Sequence, residues 1–87
     1  MIETILSEQN APTVEFRFLL GRKSDGRTWT YQPVAWRTPG EKWSRLEAQP
    51  VTLLGIALAE RTTGYQMQQL GTKITSSEWI YRFQKAS

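Results

Sequence analysis

The sequence contains neither cysteine nor histidine, and each absence excludes a class of site. Without cysteine the chain can form no disulfide and no thiolate metal site. Without histidine it lacks the commonest zinc ligand and the commonest acid–base catalyst. A domain of this size buries only about 60–65% of its unfolded surface, so large aromatic side chains are the obvious remaining source of stability. We expect no metal and no cofactor.

Catalytic motifs are equally scarce. The acidic residues Glu41, Glu47 and Glu60 are scattered, so no pair has the spacing that separates the pKa values of a catalytic acid and base. The stretch LLGRKSDG contains two glycines and a Lys-Ser pair, but not in the order of a phosphate-binding loop. The sequence therefore predicts a protein that is not an enzyme.

Long apolar segments are missing as well. No stretch is long enough to span a bilayer, and the opening MIETILSEQN carries acidic residues without the pattern of a secretory signal. We therefore expect a cytoplasmic protein without membrane contact. Eleven Lys and Arg against eight Asp and Glu give a net charge of +3 and a pI near 9.6. This mild basicity suits an anionic partner.

The first half of the chain has the pattern of a β-hairpin. In TVEFRFLLGRK, apolar residues alternate with Glu15 and Arg17, which is typical of a strand with one buried face. Ser24–Gly26 supplies a tight turn, because Asp-Gly tolerates the positive φ of hairpin turns. The returning segment RTWTYQPVAWR is rich in aromatic residues and threonine. Since Pro33 has no N–H to donate, it predicts an edge, a bulge or a kink in this second strand.

The second half is predicted to hold a short helical link and two further strands. Pro39-Gly40 ends the hairpin, and residues 41–47 have room for about two helical turns. The apolar run VTLLGIALAER is predicted as a strand with Leu54, Ile56 and Leu58 on one face, either in a subunit interface or beneath the N-terminal segment. The last predicted strand, ITSSEWIYRF, carries aromatic residues on a common face: Trp79, Tyr81 and Phe83.

Together with a short strand at residues 2–6, these elements predict an all-β fold in one domain, residues 1–87. Five strands with a short helical link between the third and the fourth have the order of a small OB-fold-like barrel, an architecture whose face and loops bind oligonucleotides. A small SH3-like barrel is the nearest alternative, although it usually lacks that helical link.

Three segments, in order, resemble the bacterial single-stranded DNA-binding proteins and their primosomal relatives, which have the OB-fold. TYQPVAWR resembles the third strand of that family, VTLLGIAL its fourth strand through Val51, Leu53 and Gly55, and TKITSSEWI its closing strand. The resemblance implies that Trp36 stacks on a base and that Tyr65 lies in a hairpin that often bears another stacking ring. It also implies a homo-oligomer, with a dimer favoured.

The chain departs from that family at both ends. Its opening strand is shortened to IETIL, and the sequence finishes in YRFQKAS, where the family carries an acidic Gly/Pro-rich tail that recruits replication partners. We therefore expect a minimal or specialised member that does not recruit partners through such a tail.

Aromatic rings interleaved with cations are the feature that points to single-stranded nucleic acid, because rings stack on bases and cations neutralise phosphates. Trp29 and Tyr31 share one strand face by the two-residue period, whereas Trp36 lies on the other face unless Pro33 introduces a bulge. Which face points inward stays open. Trp79 and Phe83 are assigned to the core or an interface. The candidate contact residues are Arg17, Arg22, Lys23, Arg27, Trp29, Tyr31, Trp36, Arg37, Arg61, Tyr65 and Lys73.

The sequence thus predicts a non-enzymatic protein that binds single-stranded DNA, or RNA, in DNA replication, repair or recombination, with replication or recombination proteins as further partners. The alternative is a small β-barrel adaptor or inhibitor that binds protein, because Trp, Tyr and Arg also dominate the energetics of protein interfaces.

Overall fold

A computed structural model describes residues 1–86 as one antiparallel sheet packed with two short helices. In chain order the elements are α1 (Ile2–Ser7), β1 (Thr13–Arg22), β2 (Trp29–Arg37), β3 (Ser44–Arg45), α2 (Leu53–Thr63), β4 (Tyr65–Met67), β5 (Thr72–Lys73) and β6 (Glu78–Lys85).

The six strands are arranged in the order β3-β2-β1-β6-β4, and β5 pairs with β6 along the same edge as β4. The sheet therefore has two edges, formed by β3 on one side and by β4 with β5 on the other. The predicted β-rich fold is confirmed. The structure of residues 1–86 does not show the closure of this sheet into a barrel.

The predicted alternation of β1 is confirmed and defines the two faces of the sheet. Val14, Phe16 and Phe18 are fully buried on the face that the helices cover, which we call the core face. Phe18 lies at its centre, with its ring centroid 5.7 Å from that of Tyr31 and 5.8 Å from that of Tyr81. We call the opposite side of the sheet the open face.

A β-bulge at Val34 aligns the aromatic residues of β2. Arg17 pairs with Ala35 and Phe18 with Pro33, so Val34 is the extra residue. The bulge agrees with the proline, which cannot donate to the ladder. The sequence predicted that Trp36 would share a face with Trp29 and Tyr31 only if Pro33 introduced a bulge. The bulge is present, and all three aromatic residues of β2 lie on the core face.

The strand predicted for the apolar run VTLLGIALAER is wrong, because residues 53–63 form helix α2. Thr52 caps the helix, and its hydroxyl accepts a hydrogen bond from Gly55 N at 3.3 Å. Gly64 ends the helix in the left-handed region with φ 80°, and its N–H donates to the Glu60 carbonyl. The helix that lies between β3 and β4 is therefore α2.

Helical spacing explains which side chains the two helices bury. In α2, Ile56 and Ala59 are three residues apart and both are buried. In α1, which replaces the strand predicted at residues 2–6, Ile2 and Leu6 are four residues apart and both are buried. Neither helix of the described chain is long and apolar enough to cross a bilayer.

The helix predicted at residues 41–47 is also wrong. Glu41 N donates to the Thr38 carbonyl at 3.0 Å, so the chain turns tightly after β2. It then returns along β2, where Ser44 pairs with Trp36 and the next residue, in β3, pairs with Ala35. Backbone N–H and C=O groups that would be hydrogen-bonded to one another in a helix are hydrogen-bonded to β2 instead.

Gly55→Ala is expected to stabilise the protein by about 0.5–1 kcal/mol, because glycine inside a helix is less favourable than alanine by about that amount. A Cβ at this position would lie 3.7 Å from Val51 Cβ and 3.9 Å from Thr52 Oγ1, which are ordinary contacts. The matched control, Gly64→Ala, is expected to destabilise by about 1–2 kcal/mol, because its positive φ disfavours a side chain. Urea unfolding of both variants measures this, and equal destabilisation of the two would contradict the assignment.

Candidate nucleic-acid interface

A cleft of about 310 Å³ opens on the core face at the end of the sheet nearest the β1–β2 turn. Its walls are mostly aromatic, and its lining residues are Leu20, Trp29, Tyr31, Ser76, Trp79 and Tyr81. We call it the aromatic cleft. The cleft stays open because the β1–β2 hairpin extends beyond the paired part of β6. Pairing of β1 with β6 stops at Leu19 and Glu78, whereas pairing of β1 with β2 continues to Arg22.

Trp29 is the most exposed ring of the cleft, with 45% of its surface accessible. The guanidinium carbon of Arg22 lies 4.4 Å from the centre of the indole, in a cation–π contact. Arg22 Nη1 also donates to the Gly26 carbonyl at 3.0 Å, which holds the guanidinium at the turn. The structure thus combines an exposed stacking surface and an oriented cation in one place.

The β6 side of the cleft also brings an indole and a cation together. Trp79 is half-buried and lies directly opposite Lys73 of β5, whose Nζ is 6.0 Å from the indole centre. Its ring is tilted against Tyr81, at 6.4 Å between centroids. Burial raises the pKa of the Tyr81 phenol, and the neighbouring Tyr31 hydroxyl raises it further.

The tip of the β1–β2 hairpin adds two exposed cations beside the cleft, Lys23 and Arg27. The predicted tight turn is confirmed here, since Lys23 N donates to the Thr28 carbonyl at 2.9 Å and Gly26 adopts φ 71°. Asp25 organises the tip: its carboxylate accepts from Arg27 N at 2.8 Å and from Thr28 N at 2.9 Å. The only acidic residue of this turn is therefore engaged with the turn itself.

The hydrogen bonds from the backbone of Thr28 and Arg27, with one from the Thr28 hydroxyl, lower the pKa of Asp25 from 3.8 to about 2. Because the pKa is depressed in the folded state, the stabilisation is present above pH 4 and is lost as pH falls towards 2. We expect the Asp25 carboxyl to titrate near 2 in an NMR titration, with loss of protection of the Thr28 amide over the same range. Asp25→Asn is the control, since it keeps one acceptor oxygen and does not titrate; a midpoint near 3.8 in the native chain would contradict the assignment.

Arg17 and Arg37 lie on the open face, away from the cleft, and are ion-paired. Arg17 bonds to Glu78, and Arg37 Nε donates to the buried Glu15 carboxylate at 2.8 Å. Both guanidiniums also stack on Trp43, with Arg37 4.2 Å from the ring centre. These two arginines are therefore less available to phosphates than the cations of the hairpin tip.

The remaining candidates lie outside the aromatic cleft. Trp36 packs against the core and lines a separate cavity with Lys42, at the far end of β2. Arg61 is exposed in the last turn of α2. Tyr65 is buried, and its hydroxyl donates to the Ala11 carbonyl, so its ring presents no face to a ligand here. The cleft and the hairpin tip bring together six of the predicted residues: Arg22, Lys23, Arg27, Trp29, Tyr31 and Lys73.

Sequence reasoning missed one indole of the aromatic cleft and one indole of the open face. Trp79 was assigned to the core or an interface, and it does pack half-buried against the core, but it also lines the cleft. The two-residue period that pairs Trp79 with Tyr81 was visible, but the cross-strand position of Lys73 was not. Trp43 was assigned no role, and its contact with two arginines of the open face depends on the return of the chain through β3.

Within residues 1–86 no three acidic side chains approach closely enough to hold a metal ion. No protein-family model matches the sequence, and neither a curated protein nor a solved structure matches it significantly.

Proposed function

We propose that the protein is a non-enzymatic single-stranded nucleic-acid-binding protein, with DNA as the favoured ligand. It binds the strand through the aromatic cleft and the hairpin tip. The observation that carries this proposal is the exposed indole of Trp29 with the Arg22 guanidinium fixed over it. A base stacked on such a ring gains about 1–3 kcal/mol, and the adjacent cation is placed for the phosphate.

The distribution of charge supports the same site. Arg22, Lys23 and Arg27 are exposed at the tip, and the acidic residue beside them, Asp25, is hydrogen-bonded within the turn. Arginine suits this role because its planar guanidinium both stacks on an aromatic ring and bonds to phosphate. A backbone that crosses the tip would meet cations while its bases turn towards the cleft.

A fluorescence titration tests the proposal. Tryptophan emission is followed as a mixed-sequence single strand is added at several salt concentrations, and quenching with a log–log salt slope of about −2 is expected if the three tip cations each meet a phosphate. The double variant Lys23→Ala/Arg27→Ala should reduce the magnitude of that slope by about 1.4. Lys42→Ala, at the far end of β2, is the control and should leave the slope unchanged. Absence of quenching at low salt would overturn the proposal.

The cellular role extends this proposal. Action in DNA replication, repair or recombination, in the cytoplasm and beside other replication or recombination proteins, follows from the resemblance to bacterial single-stranded DNA-binding proteins. TYQPVAWR still supports that resemblance, because it lies within β2. TKITSSEWI supports it only in part, since it spans β5, the loop at residues 74–77 and the start of β6 rather than one closing strand, and the segment matched to the fourth strand is mostly helix α2. For the fold, we propose more specifically that the sheet closes into an OB-fold barrel. An experimental structure with β3 hydrogen-bonded to β4 would support this closure.

A second function, protein binding, is favoured by the apolar surface of α2. Leu54 is 72% and Leu58 53% exposed, and Leu53 borders a cavity of about 320 Å³ between the helix and the sheet. Side chains of this kind at helical spacing are typical of interface anchors. We propose a second copy of the chain as the occupant, which keeps the predicted dimer and keeps Leu54 and Leu58 in its interface, on a helix rather than on the predicted strand.

Sedimentation equilibrium tests the dimer. The native chain should dimerise, whereas Leu54→Glu/Leu58→Glu should remain a monomer because two carboxylates would be buried in the contact. The control Gln66→Glu changes an exposed residue of β4 and should still dimerise. A native chain that is monomeric at all concentrations would remove the dimer and leave an unrelated protein as the partner of this surface.

A further inference from the structure

The size of the aromatic cleft limits what it can hold. At about 310 Å³ it is at the lower end of the range of about 300–1,000 Å³ that small-molecule sites occupy. Its two indoles, Trp29 and Trp79, come from β2 and β6, which lie on either side of β1, and Tyr31 and Tyr81 line the cleft with them, with their ring centroids 5.7 Å apart. Such a space suits one flat ring system and is too small for a run of several stacked bases.

The polar groups of the cleft match the other parts of a nucleotide. Cations lie at both indoles, Arg22 over Trp29 and Lys73 beside Trp79, where they could meet the phosphate of a bound base. The Ser76 hydroxyl and the phenol groups of the cleft provide hydrogen-bonding groups for the edge of a base. Stacking surface, hydrogen-bonding groups and cations therefore occur together within one nucleotide's reach.

A close backbone approach holds Tyr81, one of the rings that line the cleft, in place. A Cβ on Gly71 would lie 2.8 Å from Tyr81 Cζ, so only glycine lets the loop before β5 rest against this ring. Tyr81 is in turn packed edge-to-face against Phe18 and Tyr31. The position of the Tyr81 ring in the cleft is thus preformed, which lowers the entropy lost when a ligand is bound.

We propose that the aromatic cleft is a subsite for a single unpaired nucleobase that carries a phosphate, so that it binds a nucleoside monophosphate on its own. The inference rests on the proposed function, because it assigns to the same residues one nucleotide of the bound strand. It differs from general strand binding in that a polymer is not required. Both a free nucleotide and a nucleotide within a strand present a base and a phosphate. The experiment therefore compares one ligand of each kind.

NMR of the tryptophan indole N–H groups tests the inference on the full chain. AMP should shift the signals of Trp29 and Trp79 in a saturable way and leave that of Trp43, on the open face, in place. Ribose 5-phosphate should shift neither, because it has no ring to stack. Adenosine should bind roughly fivefold or more weakly than AMP, because it lacks the charged phosphate. Trp29→Phe and Trp79→Phe assign the signals, and Trp29→Ala should abolish the AMP response.

A parallel titration with a hexanucleotide separates the two proposals. If the hexanucleotide shifts Trp29 and AMP does not, the single-nucleotide subsite is overturned and strand binding stands. If AMP binds and the hexanucleotide does not, the subsite stands and strand binding is overturned. If AMP shifts Trp43 as strongly as Trp29, or neither ligand shifts any indole signal, the subsite is overturned.

Discussion

Trp29→Ala is expected to weaken binding of single-stranded DNA by about 5- to 150-fold, which corresponds to the loss of one stacked base worth about 1–3 kcal/mol. The exposed position of the ring at the mouth of the cleft predicts a large effect on binding and a small one on folding. The loss should include the contribution of Arg22, because its guanidinium is held over this indole and would no longer be oriented. Titration of the variant with a labelled strand, with circular dichroism to check the fold, measures both.

Trp43→Ala is the matched control, since it removes the same side chain from the opposite face of the sheet. Its contacts are with Arg17 and Arg37, which Glu78 and Glu15 hold in place. We expect the affinity of this variant to stay within about twofold of the native value, a change of about 0.4 kcal/mol. If Trp43→Ala lost more affinity than Trp29→Ala, the interface would belong on the open face instead.

Phe18→Ala is expected to destabilise the protein by about 3–5 kcal/mol, the usual cost of truncating a buried phenylalanine to alanine. Phe18 is fully buried, and its ring contacts Phe16, Tyr31, Tyr81 and Phe83. A domain of this size has a free energy of unfolding of only about 4–13 kcal/mol, so this single change removes a large share of it. Urea unfolding at 25 °C measures the loss.

The adjacent residue provides the control for that experiment. Leu19 points to the open face and is partly exposed, so Leu19→Ala should cost no more than about 1 kcal/mol. Similar losses for the two variants would contradict the assignment of the core face. Because Tyr31 and Tyr81 rest on Phe18, we also expect Phe18→Ala to weaken AMP and strand binding at temperatures where the variant is still folded.

The β1–β2 hairpin shows how far local pattern determines this fold. The alternation of β1, the Asp-Gly turn and the proline of β2 each specify a local backbone geometry, and all three were predicted. The bulge at Val34 follows from the missing N–H of Pro33 and decides that Trp29 and Trp36 share a face. Such features depend on residues close together in the chain, so sequence alone contains them.

Helix α2 shows where prediction from local pattern failed and why. Its apolar residues fit a two-residue period as well as a helical one, and the strand interpretation ignored the caps. Thr52 and Gly64 enclose 11 residues that include the strong helix formers leucine and alanine. These signals were present in the sequence, although a short apolar run remains ambiguous by periodicity alone.

The sequence by itself determined the first hairpin, the alternation of its buried face and the aromatic and cationic residues that a nucleic-acid site would need. Only the tertiary structure decided which of them meet: Trp29 and Trp79 line one cleft although 50 residues separate them, and Tyr65 is buried. The reason is that a side chain's strand face is a local property with a period of two, whereas its neighbours across the sheet depend on the strand order and register. Those are fixed by packing over the whole core, which no segment of the chain specifies alone.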